Sequence, residues 1–280
     1  MPEGAGRTLF VLGPAGDGST TVAAATALAA ARDGHEALLL SPAPPARLAA
    51  LLGAVPPARP AEPLALAPRL FASGIDSAAL FRSAVLAAQR LARPALDALG
   101  AGTLDDDELT ELPGAAEAAR LAALRAARAA APERLIVLDL GSATEAVNLL
   151  ALPGRLRRYL RRLLPAERRT ARALRPLLAQ LAGVPMPAEG LYEAAEGWER
   201  ALDDLLSVIE GPGAAARLVL DPGERSAGTA RTTRAGLALH GLPVEAVVAN
   251  RLLPTGSRDP WLAALAERQR ATLDAFLRQA

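Results

Sequence analysis

The chain contains no cysteine and no lysine. The first absence removes disulfides, thiolate metal ligands and cysteine nucleophiles together. The second leaves arginine as the only residue behind the 31 Lys-plus-Arg cations in 280 residues, which matters for any site that must hold phosphate. Aromatic residues are scarce, at 3%, so Ala, Leu and Val must do the packing within a hydrophobic fraction of 51%. A net charge of +1 gives no overall pull toward nucleic acid or membrane. His35 and His240 stand far apart in sequence and do not on their own build a metal site. No apolar run approaches the roughly 18 residues that a membrane-spanning helix requires. Arg7 followed by Leu9–Leu12 is faintly like a secretory signal, but the run breaks at Gly13–Gly18, and a cytoplasmic protein is the expectation.

Short apolar runs alternate with long Ala/Leu-rich stretches of helical character. That pattern predicts an α/β fold, a mostly parallel sheet flanked by helices. The strand candidates are Leu9–Leu12, Ala37–Leu40, Leu70–Ile75, Leu135–Asp139, Leu218–Leu220 and Val244–Ala249. Most are nearly continuous in apolar residues, as strands buried on both faces are. The first helix is expected to start at Ser19 or Thr20 and to stop at Gly34. The proline-rich stretch between Ser41 and Pro68 reads as a long irregular connection.

Residues 154–210 show no strand pattern and read as an inserted helical subdomain within a single domain spanning 1–280. The insert carries a basic band of Arg157, Arg158, Arg161, Arg162, Arg168, Arg169, Arg172 and Arg175, either a solvated helix face or a surface for an acidic partner. In its last helix, Leu191, Ala195, Trp198, Leu202, Leu205 and Ile209 are expected on the buried face, with Glu193, Glu196, Arg200 and Asp203 outward. An exposed Trp198 would instead mark that face as a partner surface.

The first strand runs directly into Gly13-Pro14-Ala15-Gly16-Asp17-Gly18-Ser19-Thr20-Thr21 and then a helix. Strand, glycine-rich loop and helix N-terminus together make an anion cradle, because backbone N–H groups and the helix dipole point at the ligand. The spacing of Gly13, Gly18 and Thr20 is that of G-x-x-x-x-G-K-[ST], with Thr20 at the Mg²⁺-binding hydroxyl position and Ser19 at the lysine position. Glycines also serve tight turns, and Thr20 and Thr21 are ordinary helix-start residues, so the loop alone leaves both readings open. A dinucleotide fold fits less well: the glycines fall in the wrong order, and the second strand ends at Ser41 rather than at an acidic residue.

Longer segments resemble the ArsA-type P-loop ATPases, the arsenical-pump-driving and tail-anchored-protein-targeting family. The loop with its flanks, TLFVLGPAGDGSTTVAAATALAAARDGHEALLLS, is similar to that family's deviant Walker A, G-K-G-G-V-G-K-T-T. DLGSATEAVNLLALPGRLRRYLRRLLP, from Asp139 to Pro165, resembles its switch segment. Glu111-Leu112-Pro113-Gly114 matches a recurring L-P-G element, and LALHGLPVEAVVANRLLP resembles the adenine-side strand and loop. These matches recur in order from about Thr8 to Pro254. The Ala-Thr-Glu spelling and the run ALRPLLAQLAGVPMP are most similar to an actinobacterial branch.

The resemblance implies roles that this chain only partly fills. Gly13, Gly16, Gly18, Ser19, Thr20 and Thr21 fall on the phosphate loop, Thr20 and Asp139 on the Mg²⁺ side, and Asn250 at the adenine-reading position. Pro14 and Ser19 replace the two family lysines, and Ala43 stands where the family has its water-activating aspartate, so no catalytic residue is assigned. ATP and Mg²⁺ are therefore expected to bind weakly if at all. The chain ends soon after the adenine-side loop, so the family's last strand and helix are expected to be short or missing. The resemblance further implies a dimer, either with itself or with an intact paralogue. Nucleic acid is not expected as a partner, and contact with membranes is expected only indirectly. Without cysteines, neither arsenite binding by thiolates nor a zinc-bridged dimer can be inherited. Met186 is the only internal methionine, which weakens a methionine-lined client groove without removing the idea.

Overall fold

A computed structural model describes residues 6–99, 102–163 and 189–278. Its seven-stranded sheet runs in the order β3-β4-β2-β5-β1-β6-β7, with β1 Thr8–Gly13, β2 Ala37–Ser41, β3 Leu64–Ala67, β4 Leu70–Gly74, β5 Leu135–Ser142, β6 Ala214–Leu220 and β7 Val244–Ala249. Every neighbouring pair is parallel except β3 with β4. The helices among the described residues are α1 Ser19–Arg32, α2 Pro45–Leu52, α3 Ser77–Leu99, α4 Ala115–Ala130, α5 Ala143–Leu163, α6 Glu189–Ile209, α7 Glu224–Ala238 and α8 Pro260–Arg278. This is the expected α/β architecture.

Strand alternation divides the core in two. Along β1, Phe10 and Leu12 point into a layer completed by Leu124 of α4, Leu149 of α5, Ile209 of α6, Leu237 of α7 and Phe276 of α8. Leu9 and Val11 point the other way, where Ala23, Ala27 and Ala31 of α1 cover the sheet. Their methyl side chains let the α1 backbone lie close to the strands, and a chain with few aromatics fills its core in this way. α1 ends in a Schellman turn: His35 N–H bonds the Ala30 carbonyl at 3.0 Å and Gly34 N–H bonds that of Ala31 at 3.2 Å. Gly34 has φ 92, so the expected stop is where it was placed.

Two expectations need correction. The proline-rich stretch is not irregular throughout, because Pro45 starts α2 at a position where a missing N–H costs nothing, and Leu64–Ala67 pairs antiparallel with β4. A 19-residue helix, α8, follows the loop after β7. In α6, Leu205, Leu206 and Ile209 are buried, but Trp198 is 65% exposed. Trp198 continues the same stripe, yet the cover that buries Ile209 does not reach it. Asp203 does not simply face water: it accepts Arg157 of α5 at 2.8 Å, while Arg161 donates to Glu199 at 2.7 Å. The hydrogen bond to Glu199 raises the Arg161 pKa above its ordinary value. Arg168, Arg169, Arg172, Arg175, the ALRPLLAQLAGVPMP run and Met186 lie outside the described residues, as do the side chains of Leu191, Glu193 and Ala195.

Candidate functional site

The loop between β1 and α1 lies at the carboxyl end of β1, an interior strand of the sheet. β5 pairs with β1 on one side and β6 on the other. In open α/β sheets this end, where connections leave in opposite directions, is where ligands bind. Gly13 belongs to β1, and a Cβ there would collide with the Val219 carbonyl oxygen. Gly16 and Gly18 take φ 93 and φ 94, left-handed values that a side chain disfavours. Ala15 and Gly16 form the exposed tip, whereas Asp17, Gly18, Ser19 and Thr20 are buried. α1 begins at Ser19 with no side-chain cap, leaving its first N–H groups directed at the loop mouth. The backbone of a phosphate cradle is thus retained, less one donor, since Pro14 has no N–H.

Two further positions come from β5, beside β1, and from the residue that follows β7. Asp139 sits on β5 beside Val11 of β1 and is 1% exposed. Its Oδ2 accepts the Ser41 hydroxyl at 2.8 Å, and its Oδ1 accepts the Gly141 N–H at 3.2 Å. Ser41 Oγ in turn accepts the Ala43 N–H at 3.2 Å. These hydrogen bonds link the end of β2 to β5 next to Ala43, whose side chain is only a methyl group. Asn250, at the end of β7, donates from Nδ2 to the Asp17 carbonyl at 2.8 Å, and a Cβ on Gly18 would strike that same amide. Asn250 therefore packs against the phosphate loop itself.

The sequence reading missed Asp17. Its Oδ2 accepts the Asp221 N–H at 2.8 Å and also the Ser226 hydroxyl, which ties the loop to the turn between β6 and α7. An acidic residue where the resembled loop has valine was the available signal.

The residues present suit only half of a Mg²⁺–nucleotide complex. A hydroxyl at Thr20 and a carboxylate at Asp139 are the oxygen donors that Mg²⁺ takes. For a triphosphate, the loop supplies no cation and one buried carboxylate, which does not fit. Among the described residues no cluster of three or more His, Asp or Glu side chains is arranged to hold a metal alone. No helix among them is long and apolar enough to cross a membrane.

A family model described as anion-transporting ATPase matches residues 6–278. An uncharacterized protein of Streptomyces coelicolor is 50% identical over 269 residues, covering 96% of this chain and 68% of its own length. A protein of Chlorobaculum tepidum provisionally named as an arsenical pump-driving ATPase is 25% identical over 260 residues, 91% of this chain and 64% of the relative. One of Aquifex aeolicus, similarly named, is 24% identical over 149 residues, 53% of this chain and 38% of the relative. The chain thus spans only part of each relative. With the family match running nearly end to end over a parallel sheet whose β1–α1 loop keeps its phosphate-loop glycines, the chain belongs to the anion-transporting ATPase (ArsA) family.

Proposed function

We propose that this chain is a degenerate member of its family, a pseudo-ATPase subunit that works in the cytoplasm by pairing with an intact paralogue. The observation that carries this reading is the contrast within one loop: the glycine geometry is kept while both cations are gone. Each charge-assisted hydrogen bond to phosphate is worth roughly 1.5–3 kcal/mol. A single transition-state cation contributes about 10³–10⁵ in phosphoryl-transfer rate. Losing Lys at positions 14 and 19 and the carboxylate at 43 leaves hydrolysis negligible and nucleotide binding weak. A half-site of this kind still offers a partner the face formed by Gly13–Ser19 and Ala43–Ala46.

Calorimetry with Mg²⁺-ATP and a phosphate-release assay on the purified chain test the first half of the reading. Turnover that is abolished by T20A or D139N would overturn it in favour of a slow, arginine-assisted ATPase. Light scattering with and without the paralogue tests the second half, and a strict monomer in both would count against pairing.

The exposure of Trp198 supports a second reading, as a targeting factor for membrane-protein helices. An apolar stripe left open at one end is what such a client would cover. Trp198 fluorescence that ignores an added apolar helical peptide would remove it.

A further inference from the structure

The β1–α1 loop carries a single charge of its own, and that charge is negative. Asp17 is 8% exposed. Its carboxylate takes two neutral donors, the Asp221 N–H and the Ser226 hydroxyl, and its carbonyl takes the Asn250 amide. Among the described residues it has no ion-pair partner. The donors satisfy its hydrogen bonding but leave a full negative charge inside a loop whose backbone geometry is built to attract an anion.

We infer that Asp17 is the residue that determines whether this loop admits a phosphate-bearing ligand. Two effects follow from one side chain. Its charge opposes any phosphate brought to the N–H groups of the loop, and repulsion between like charges is strong where water is partly excluded. Its hydrogen bonds to the Asp221 N–H and the Ser226 hydroxyl fix the loop to the start of α7 and the turn before it. The inference rests on reading the loop as a nucleotide site that has lost its cations. It adds that the loss of lysine is not the only barrier to binding.

The test compares the full chain with D17N and S226A, using sodium pyrophosphate as the probe and the pyrophosphate concentration that half-saturates the Tm shift as the readout. Asn keeps the size of Asp17 and an acceptor for the Asp221 N–H while removing the charge. The expected result is that D17N responds to pyrophosphate at a concentration at least about tenfold lower than wild type, with the advantage shrinking as salt is raised. S226A keeps the charge and loses one anchor. It should lower the ligand-free Tm by roughly 2–5 °C without improving the response to pyrophosphate. The inference is overturned if D17N binds pyrophosphate no better than wild type, or if S226A improves binding as much as D17N does. Should D17N fail to fold, D17S provides the same comparison with a smaller neutral acceptor. Vigorous ATP turnover by the wild-type chain would retire the pseudo-ATPase reading, yet the pyrophosphate comparison would still report on Asp17 alone.

Discussion

Arg128 shows how a chain without lysine uses the guanidinium as a structural clamp. One of its terminal nitrogens donates to the Pro132 and Arg134 carbonyls at 2.7 and 2.9 Å, and the other to the Arg7 carbonyl and the Thr8 hydroxyl at 2.8 Å each. The side chain thereby joins the end of α4 to the starts of β1 and β5. Burial lowers its pKa, and Glu133 partly offsets this, so the cation is held at the cost of some hydration. A lysine ammonium is a single point and cannot span acceptors that far apart. Arg128→Ala should cost about 2–4 kcal/mol, and Arg128→Lys should restore less than half of that, read as a shift in urea midpoint at constant slope. At Asp259 the effect is smaller and more local. Its Oδ1 caps α8 by accepting the Trp261 N–H at 2.8 Å and the Leu262 N–H at 3.3 Å. Asp259→Ala should cost about 1 kcal/mol and leave the sheet untouched.

Among the elements, β1 and α1 show which features a sequence declares and which it hides. The Leu9–Leu12 run declared a strand because a strand buried on both faces needs apolar residues at every position. Gly34 declared a helix stop because only a residue tolerant of positive φ closes that turn cheaply. Gly34→Ala should therefore cost about 1–2 kcal/mol from its positive φ alone, since a Cβ there meets open space. Gly18→Ala should cost more, because the same unfavourable φ is joined by a collision with Asn250. A pair of thermal melts checks the difference, and equal losses would mean that Asn250 yields freely. What stayed hidden was non-local. The insertion of β5 between β1 and β2 leaves no mark in any one segment. The hydrogen bonds of Asp17 to Asp221 and Ser226 bridge some 204 and 209 residues of chain. The strand β3 lies among prolines because it is an edge strand, where missing donors are tolerated. Trp198 was placed on the correct stripe, but how far along a helix its cover extends is set by neighbouring elements rather than by the helix's own period.

At the scale of the whole molecule, the proposed pseudo-ATPase separates fold from chemistry, and the two can be tested apart by placing the resembled loop's charged groups in this one. The sheet, the left-handed glycines and the Asp139–Ser41 hydrogen bond are all in place, so the site's frame does not need rebuilding. Lys at positions 14 and 19 would return cations to the loop, Asp at 43 would return the group that orients water, and removal of the Asp17 charge would clear the loop. The quadruple variant P14K/D17N/S19K/A43D is expected to bind Mg²⁺-ATP measurably by calorimetry and then, at a lower level, to release phosphate. P14K, S19K or A43D alone should do little for turnover, because groups that act as one unit are not additive. Affinity should return before turnover, since the lysines and the neutral residue at 17 already act on the bound phosphates, as well as on the transition state, whereas the aspartate acts only on the attacking water. If the quadruple variant folds with a wild-type Tm and still binds nothing, the defect lies in the frame rather than in the missing charges, and the loop has been remodelled beyond repair by substitution. If it binds ATP but hydrolyses none until the paralogue is added, the second face of the site comes from the partner, and pairing is the step at which this subunit acts.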